Sequence, residues 1–541
     1  MAFVLFHVFG SCLSAATLNL SIEWKEIDLP VEQKPQLNTQ KDGKAPLSAD
    51  KSASKFKVSR LLFEPPTMFS NDELCQVAGF TSDKLLDLSD LHLYADRVTA
   101  FMRARGLFLS KAIVQPQEIN DGVVRITALV GQYQDIKIQN RSAMRNVAVQ
   151  SALSTLKTGD PIELGKLEER LLLLSDMPAV EVKSTLSPGA KLGSADMLVD
   201  ISPGQRITGQ MDVDNAGGLY TGENRLGLGM KLHQLLGLGD SLSLRAQSSF
   251  DGMSNNRLGY QIQWGATKWG VNVANLNYRL NSSFSNLQAE GTAVTKSAYM
   301  DHALLRSKRG NLNALINWDQ KDFQDKVYTT ELVSEKKIQS TSIGISGDIV
   351  HDMVRLGQTQ FSILISSGEV RSSTLETTSS AASPIPYGKA NIAVSHVKNM
   401  GLGLDWQWNM SGQTATVNLD VAEKLALGGI AGVRAYPANE AYADVGFVMS
   451  TELRKNFTST DSPLHQLQWI GFIDIGQAQL NKESVNSDTN LVRRSGFGMG
   501  LNWVYDKTTQ LKTLYAQKIA SADENSTSAQ GRVWVQGYRS F

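Results

Sequence analysis

Among the side chains able to do chemistry, one arginine and one aspartate stand apart. Arg434 lies in Gly428-Gly-Ile-Ala-Gly-Val-Arg-Ala-Tyr-Pro437, too rich in glycine for an ordinary strand or helix. Gly428, Gly429 and Gly432 permit backbone angles that other residues avoid, so the arginine rides on a bent loop. Tyr436 and Pro437 stiffen its far side. Forty residues on, Gly471-Phe-Ile-Asp-Ile-Gly476 sets one carboxylate, Asp474, in an otherwise apolar strand. A guanidinium on a loop and a carboxylate on a strand form a natural bidentate pair. Tyr436 and Phe472 can pack around it, and Glu440 and Asp444 are candidate secondary partners. Such a pair fastens a loop; it transforms no substrate.

Other chemistry is poorly supplied. The seven histidines (His7, His92, His233, His302, His351, His396 and His465) are scattered, with no metal-ligand spacing. Gly227-Leu-Gly229 and Gly237-Leu-Gly239 lack the Lys-Ser/Thr that follows a phosphate loop and read as strand glycines near a hairpin. No nucleophile elbow is present. Neither catalysis nor a cofactor or metal is expected. Lys+Arg and Asp+Glu both number 53, so net charge makes no case for nucleic acid. Cys12 and Cys75 are the only cysteines, too few for a zinc site.

The elements that must position the pair fall into distinct blocks. Residues 1–16 form an apolar run ending in small residues, read as a signal peptide although no basic residue precedes Lys25. Residues 17–54 are a polar, proline-bearing linker without a clean amphipathic helix. Residues 55–134 read as a small α/β module. Phe56–Phe63 alternates like a strand, Leu88–Arg105 has helical spacing with Ser89 or Asp90 as cap, and strands follow at 112–117 and 122–130. Residues 135–205 repeat that order around the stripe Leu164, Leu167, Leu171 and Leu174.

From Arg206 the texture becomes short alternating segments. Leu242, Leu244 and Ala246 oppose Ser241, Ser243 and Arg245; Thr414, Thr416, Asn418 and Asp420 oppose Ala415, Val417, Leu419 and Val421. Alternation alone suits a soluble sandwich or a membrane barrel equally. Two further features favour the barrel. Eight tryptophans (Trp264, Trp269, Trp318, Trp406, Trp408, Trp469, Trp503 and Trp534) lie in this region, as aromatic girdles require. Sixteen segments can be marked, among them 393–408, 413–423 and 465–478, with the Arg434 loop in the gap 424–443. Past residue 16 no apolar run approaches the ~18 residues of a membrane helix, so a spanning protein must close as a barrel. Parity groups Asp474 with Gln466, Gln468 and Gly476, hence in the lumen.

Val433-Arg-Ala-Tyr436 followed by Phe472-Ile-Asp-Ile-Gly476 resembles the two-partner secretion transporters of the outer membrane, the haemolysin secretion/activation family. Gln115-Pro116-Gln117 and Leu167–Pro178 resemble the first and second POTRA domains of that family, and the alternating terminal strand ending in Phe541 resembles an outer-membrane assembly signal. The resemblance implies two periplasmic POTRA domains (55–134 and 135–205) and a 16-stranded barrel (206–541). It implies a large haemolysin- or adhesin-like exoprotein client bound unfolded, an Arg434 loop that includes Gly432 and gates the lumen, contact with outer-membrane lipid, the barrel-assembly machinery as a partner during biogenesis, and no ATP. The rivals are a barrel-assembly factor, which usually has more POTRA domains, a passive porin-like or adhesin barrel, and a soluble all-β binding protein.

Overall fold

The computed structural model describes residues 55–64, 68–352, 357–374, 384–438, 440–458, 466–484, 490–519 and 530–541. The signal-peptide and linker assignments, 1–16 and 17–54, lie outside the described residues, as does His465.

The first α/β module holds β1 (Phe56–Val58), β2 (Arg60–Glu64), α1 (Asn71–Ala78), β3 (Lys84–Leu86), α2 (Leu88–Ala104), β4 (Lys111–Ile113) and β5 (Val123–Leu129). Its sheet runs β2-β5-β4, with β2 and β5 parallel. Helix α2 starts at a capping box, but neither Ser89 nor Asp90 is its cap. Asp87 is the N-cap, and Asp90 occupies the reciprocal position, its carboxylate accepting from the Asp87 amide at 3.0 Å. Gly106, at φ +91°, follows its last turn. Leu91, Ala95, Val98 and Met102 bury one face against Val124 and Ile126.

The second module has β6 (Gln132–Asn140), α3 (Asn146–Leu153), α4 (Leu164–Ser175), β7 (Val180–Pro188) and β8 (Ser194–Pro203). Its sheet order is β6-β8-β7, which leaves β7 as an antiparallel edge strand. Leu167 and Leu174 anchor α4 to the core, while Leu164, at the helix start, is exposed.

The rest is a closed barrel of sixteen strands. It opens with β9 (Ile207–Asp214), β10 (Arg225–His233), β11 (Asp240–Ser248), β12 (Met253–Trp264), β13 (Thr267–Arg279), β14 (Ala289–Arg306), β15 (Gly310–Val327) and β16 (Leu332–Asp352). It continues with β17 (Gly357–Thr374), β18 (Ile385–Gly401) and β19 (Leu404–Ala415). A short pair, β20 (Leu425–Ala426) and β21 (Tyr442–Ala443), stands apart from the wall. The wall resumes with β22 (Val445–Thr458), β23 (Gln466–Gln479), β24 (Leu491–Val504), β25 (Thr509–Lys518) and β26 (Gly531–Ser540), and β26 pairs with β9.

The period-2 pattern settles which side is apolar. Val271, Val273, Ile343, Ile345, Ile363 and Ile365 all face outward and exposed, with no second sheet over them among the described residues. That is a lipid-facing surface, not the inner face of a sandwich. No described helix is long and apolar enough to cross a membrane.

Two of the sixteen segments were misplaced. Residues 393–408 run through a turn at Gly401-Leu402-Gly403, where all three residues have positive φ. Residues 413–423 are not a strand: β19 ends at Ala415, and 421–423 form a turn of 3-10 helix. Their alternation continues past the strand because Leu419 and Ala422 pack on the inner wall against Ala415 and Tyr387.

The second module docks on the barrel turns at one end. Arg306 makes a bidentate pair with Asp176 at 2.7 and 2.8 Å. Gln263 donates to the Leu173 carbonyl at 2.9 Å and Gln234 to the Pro178 carbonyl at 2.7 Å. Strand direction then puts the loop between β19 and β22 at the opposite end.

Candidate functional site

That loop folds back into the barrel. Its tip is fastened to itself by Val433 N–H to Leu427 O at 2.7 Å, Gly429 N–H to Tyr436 O at 3.0 Å and Tyr436 N–H to Val433 O at 3.1 Å. Of the three glycines, only Gly429 has a positive φ, +100°. Gly428 and Gly432 are required for space instead. A Cβ at Gly432 would lie 2.2 Å from the Leu427 carbonyl oxygen, and one at Gly428 would lie 2.3 Å from that of Pro437.

The compact tip delivers Arg434 to the inner face of β22 and β23, where it is 3% exposed. Its Nε donates to Asp474 Oδ2 at 2.9 Å and its Nη2 to Oδ1 at 2.6 Å. Nη1 reaches Glu452 at 2.6 Å, and Nη2 also reaches Ser450 at 2.6 Å. The guanidinium lies 3.5 Å over the Phe472 ring. Register explains the convergence: Ser450 pairs with Asp474 and Glu452 with Phe472 across neighbouring strands, so all four project from one patch. Asp474 is fully buried and inward, with Leu467, Trp469, Ile473 and Ile475 on the outer face, as parity required.

The sequence missed Glu452, which Arg454 also holds at 2.6 Å. A signal was present: Ser450, Glu452 and Arg454 alternate with Met449, Thr451 and Leu453. Glu440 and Asp444 are not the secondary partners. Glu440 pairs with Arg494 at 3.3 Å, and Asp444 pairs with Lys424 at 3.2 Å. Tyr436 is buried but meets other cations, with Lys518 4.7 Å and Arg494 5.0 Å from its ring centroid. Trp534 is not a girdle residue. It is fully buried in the lumen and donates its indole N–H to the Arg434 carbonyl at 2.8 Å. Phe541 lies on the outer surface at the β26–β9 seam, its backbone N–H donating to the Gly209 carbonyl at 2.9 Å. Among the described residues no group of three or more His, Cys, Asp or Glu is placed to hold a metal.

Arg434 is thus carried inward on the loop and clamped by two wall carboxylates, Glu452 and Asp474. Comparison with known proteins identifies the family. Residues 193–503 match the haemolysin secretion/activation protein family, ShlB/FhaC/HecB. The chain belongs to this family. Residues 56–131 match its POTRA domain, ShlB-type. The haem/hemopexin transporter protein HuxB of Haemophilus influenzae is 30% identical over 81% of this chain and 79% of its own. The outer membrane transporter CdiB of Dickeya dadantii is 21% identical over 83% of this chain and 81% of its own. CdiB from Escherichia coli superposes with a TM-score of 0.75 at 17% identity, covering 92% of this chain and 93% of that one, a likeness of fold. As a two-partner secretion transporter, the protein sits in the outer membrane with its POTRA domains in the periplasm. The loop between β19 and β22 therefore enters the lumen from the cell-surface side.

Proposed function

We propose that the protein exports one large exoprotein as an unfolded chain through its own lumen, with the Arg434 loop as the gate. The observation that carries this reading is the burial of Arg434 against Asp474 and Glu452 inside the barrel. A segment so placed obstructs the route a client takes and must leave it during passage. A client strand adds to the free edge of β7, where main-chain bonds give affinity without a fixed sequence. The outer membrane offers no ATP, so folding of the client outside biases the direction. The barrel-assembly and passive-pore readings account less well for a gate combined with two POTRA modules among the described residues. The relatives near 30% identity are named as haem/hemopexin transporters and those near 21% as CdiB, which favours a client of the haem/hemopexin class.

The test is a reversible tether. A Cβ at Gly476 would lie 3.0 Å from Val433 Cγ2, so cysteines at 433 and 476, with Cys75 changed to serine, are placed to join the tip to the wall. Under the gate reading secretion stops when the disulfide forms and resumes on reduction. Undiminished secretion with the tether closed would show the loop to be a brace.

A further inference from the structure

The loop that carries Arg434 is held a second time, by charges of opposite sign, on another arc of the wall. At its root Glu423 is 3% exposed. Its carboxylate meets Lys321 of β15 at 2.6 Å and Lys389 of β18 at 2.7 Å. Just before it, Asp420 accepts from Lys336 of β16 at 2.9 and 3.0 Å and caps the turn by accepting from the Ala422 amide at 2.9 Å. Gln413 of β19 and Lys389 donate to the Glu423 carbonyl at 3.1 and 3.2 Å. Leu419 and Ala422 fill the space beneath with Phe323, Ile338 and Tyr387.

We propose that Glu423, supported by Asp420, is a second latch, a positioning residue that keeps the gate loop seated independently of Arg434. The proposal rests on the reading of this loop as the gate. Its physical basis is charge arrangement. At the root Glu423 and Asp420 meet Lys321, Lys336 and Lys389, while Lys424 turns to Asp444; at the tip Arg434 meets Asp474 and Glu452, the latter shared with Arg454. Each half of the loop is repelled by the other half's seat, so the loop has one electrostatic register in the lumen. Withdrawal of the root takes the Glu423 and Asp420 charges away from three lysines, on β15, β16 and β18, and the repulsion among these like charges favours its return. Release of the tip alone leaves the root in place, so full opening requires both seats to be vacated.

The test is ion conductance of the purified full-length protein in planar bilayers, comparing Arg434→Ala, Glu423→Gln and the double variant. Heat-modifiable migration reports that each barrel is folded. The double variant is expected to be open about tenfold more of the time than Arg434→Ala, and Glu423→Asp in the same background to reverse part of that gain. A double variant that is folded and conducts no more than Arg434→Ala overturns the latch. If Glu423→Gln raises conductance while Arg434→Ala does not, the latch stands and the Arg434 gate falls; if neither acts, both fall. Should Glu423→Gln fail to assemble, Asp420→Asn, which leaves the Glu423 pairs intact, carries the same comparison with the same two readings.

Discussion

Asp474 holds Arg434 by its backbone as well as by its side chain. One carboxylate oxygen, Oδ2, accepts both the Nε proton at 2.9 Å and the Arg434 amide proton at 3.0 Å. The loop is thereby fixed in height and rotation by a single wall residue. Removing one partner of a buried, hydrogen-bonded pair leaves the other charge uncompensated, at about 3–5 kcal/mol. Arg434→Ala and Asp474→Ala are each expected to lower the melting of the barrel in detergent, followed by heat-modifiable migration. Combined, their losses should fall short of additive by more than ~1 kcal/mol. Arg434→Lys should behave like the alanine variant, since an ammonium cannot serve Asp474, Glu452 and Ser450 at once. Strictly additive losses would count against a coupled pair.

The seat also depends on what the wall leaves out. A Cβ at Gly496 of β24 would lie 2.6 Å from Ala435 Cβ, beside Arg434. Gly496→Val is expected to push the tip off its seat at a cost of about 1–3 kcal/mol. The loop should become accessible to added protease from the cell surface while the barrel stays heat-modifiable. A tip still protected in this variant would mean that the wall yields before the loop.

Arg306 and Asp176 join the barrel to the second POTRA domain through a bidentate pair whose side chains are only partly exposed. Being neither buried nor fully solvated, the pair is expected to contribute about 1 kcal/mol. Arg306→Ala should speed hydrogen exchange in α4 and the β14–β15 turn and leave the Arg434 seat unchanged. Equal protection in wild type and variant would assign the docking to Gln263 and Gln234 instead.

Cys75 lies outside the membrane, in α1, where it donates to the Leu61 carbonyl at 3.4 Å. Burial, and next the charge of Asp72, push its thiol above the ordinary range. The folded state thus prefers the neutral thiol. That contribution to stability is complete below the unfolded pKa and is lost as pH rises through the folded one. With Cys12 changed to serine, iodoacetamide should label the native protein more slowly than the unfolded protein at pH 8, and faster as pH climbs. Equal rates at pH 8 would refute the shift.

The barrel was legible because its signal is local. Each strand repeats every two residues, and lipid imposes that period on one face all the way round. The same logic placed Asp474 inward. It failed where tertiary contact imitates a strand, as at 416–423, and where a residue of girdle type is drawn inward, as with Trp534. Arg434 and Asp474 were visible because each is a charge set in unsuitable surroundings. Glu452 was harder to see: alternation in β22 turned it inward, but its polar neighbours Ser450 and Arg454 hid its burial. The acidic root of the loop was hidden too: its partners come from three other strands, and their charges meet only once the cylinder closes.

Phe541 occupies the thinnest part of that closure. The seam between β26 and β9 has five register pairs, from Gln536 with Asp214 to Ser540 with Gln210, against fourteen between β22 and β23. Backbone bonds extend it by one more residue: Gly209 N–H donates to the Phe541 carbonyl at 2.7 Å, and Phe541 N–H to that of Gly209 at 2.9 Å. Those bonds do not need a ring. The ring itself is 71% exposed on the outer face, above Gly209. Little packing is lost on its removal, so Phe541→Ala should shift refolding of the purified chain into detergent by less than ~1 kcal/mol. We propose that the exposed ring instead serves recognition by the assembly machinery. In cells the assembled, heat-modifiable fraction of Phe541→Ala should fall severalfold. Gly209→Pro removes the amide that donates to the Phe541 carbonyl, so there refolding in vitro falls as well. If Phe541→Ala refolds as badly as Gly209→Pro, the ring closes the seam and is not an assembly signal.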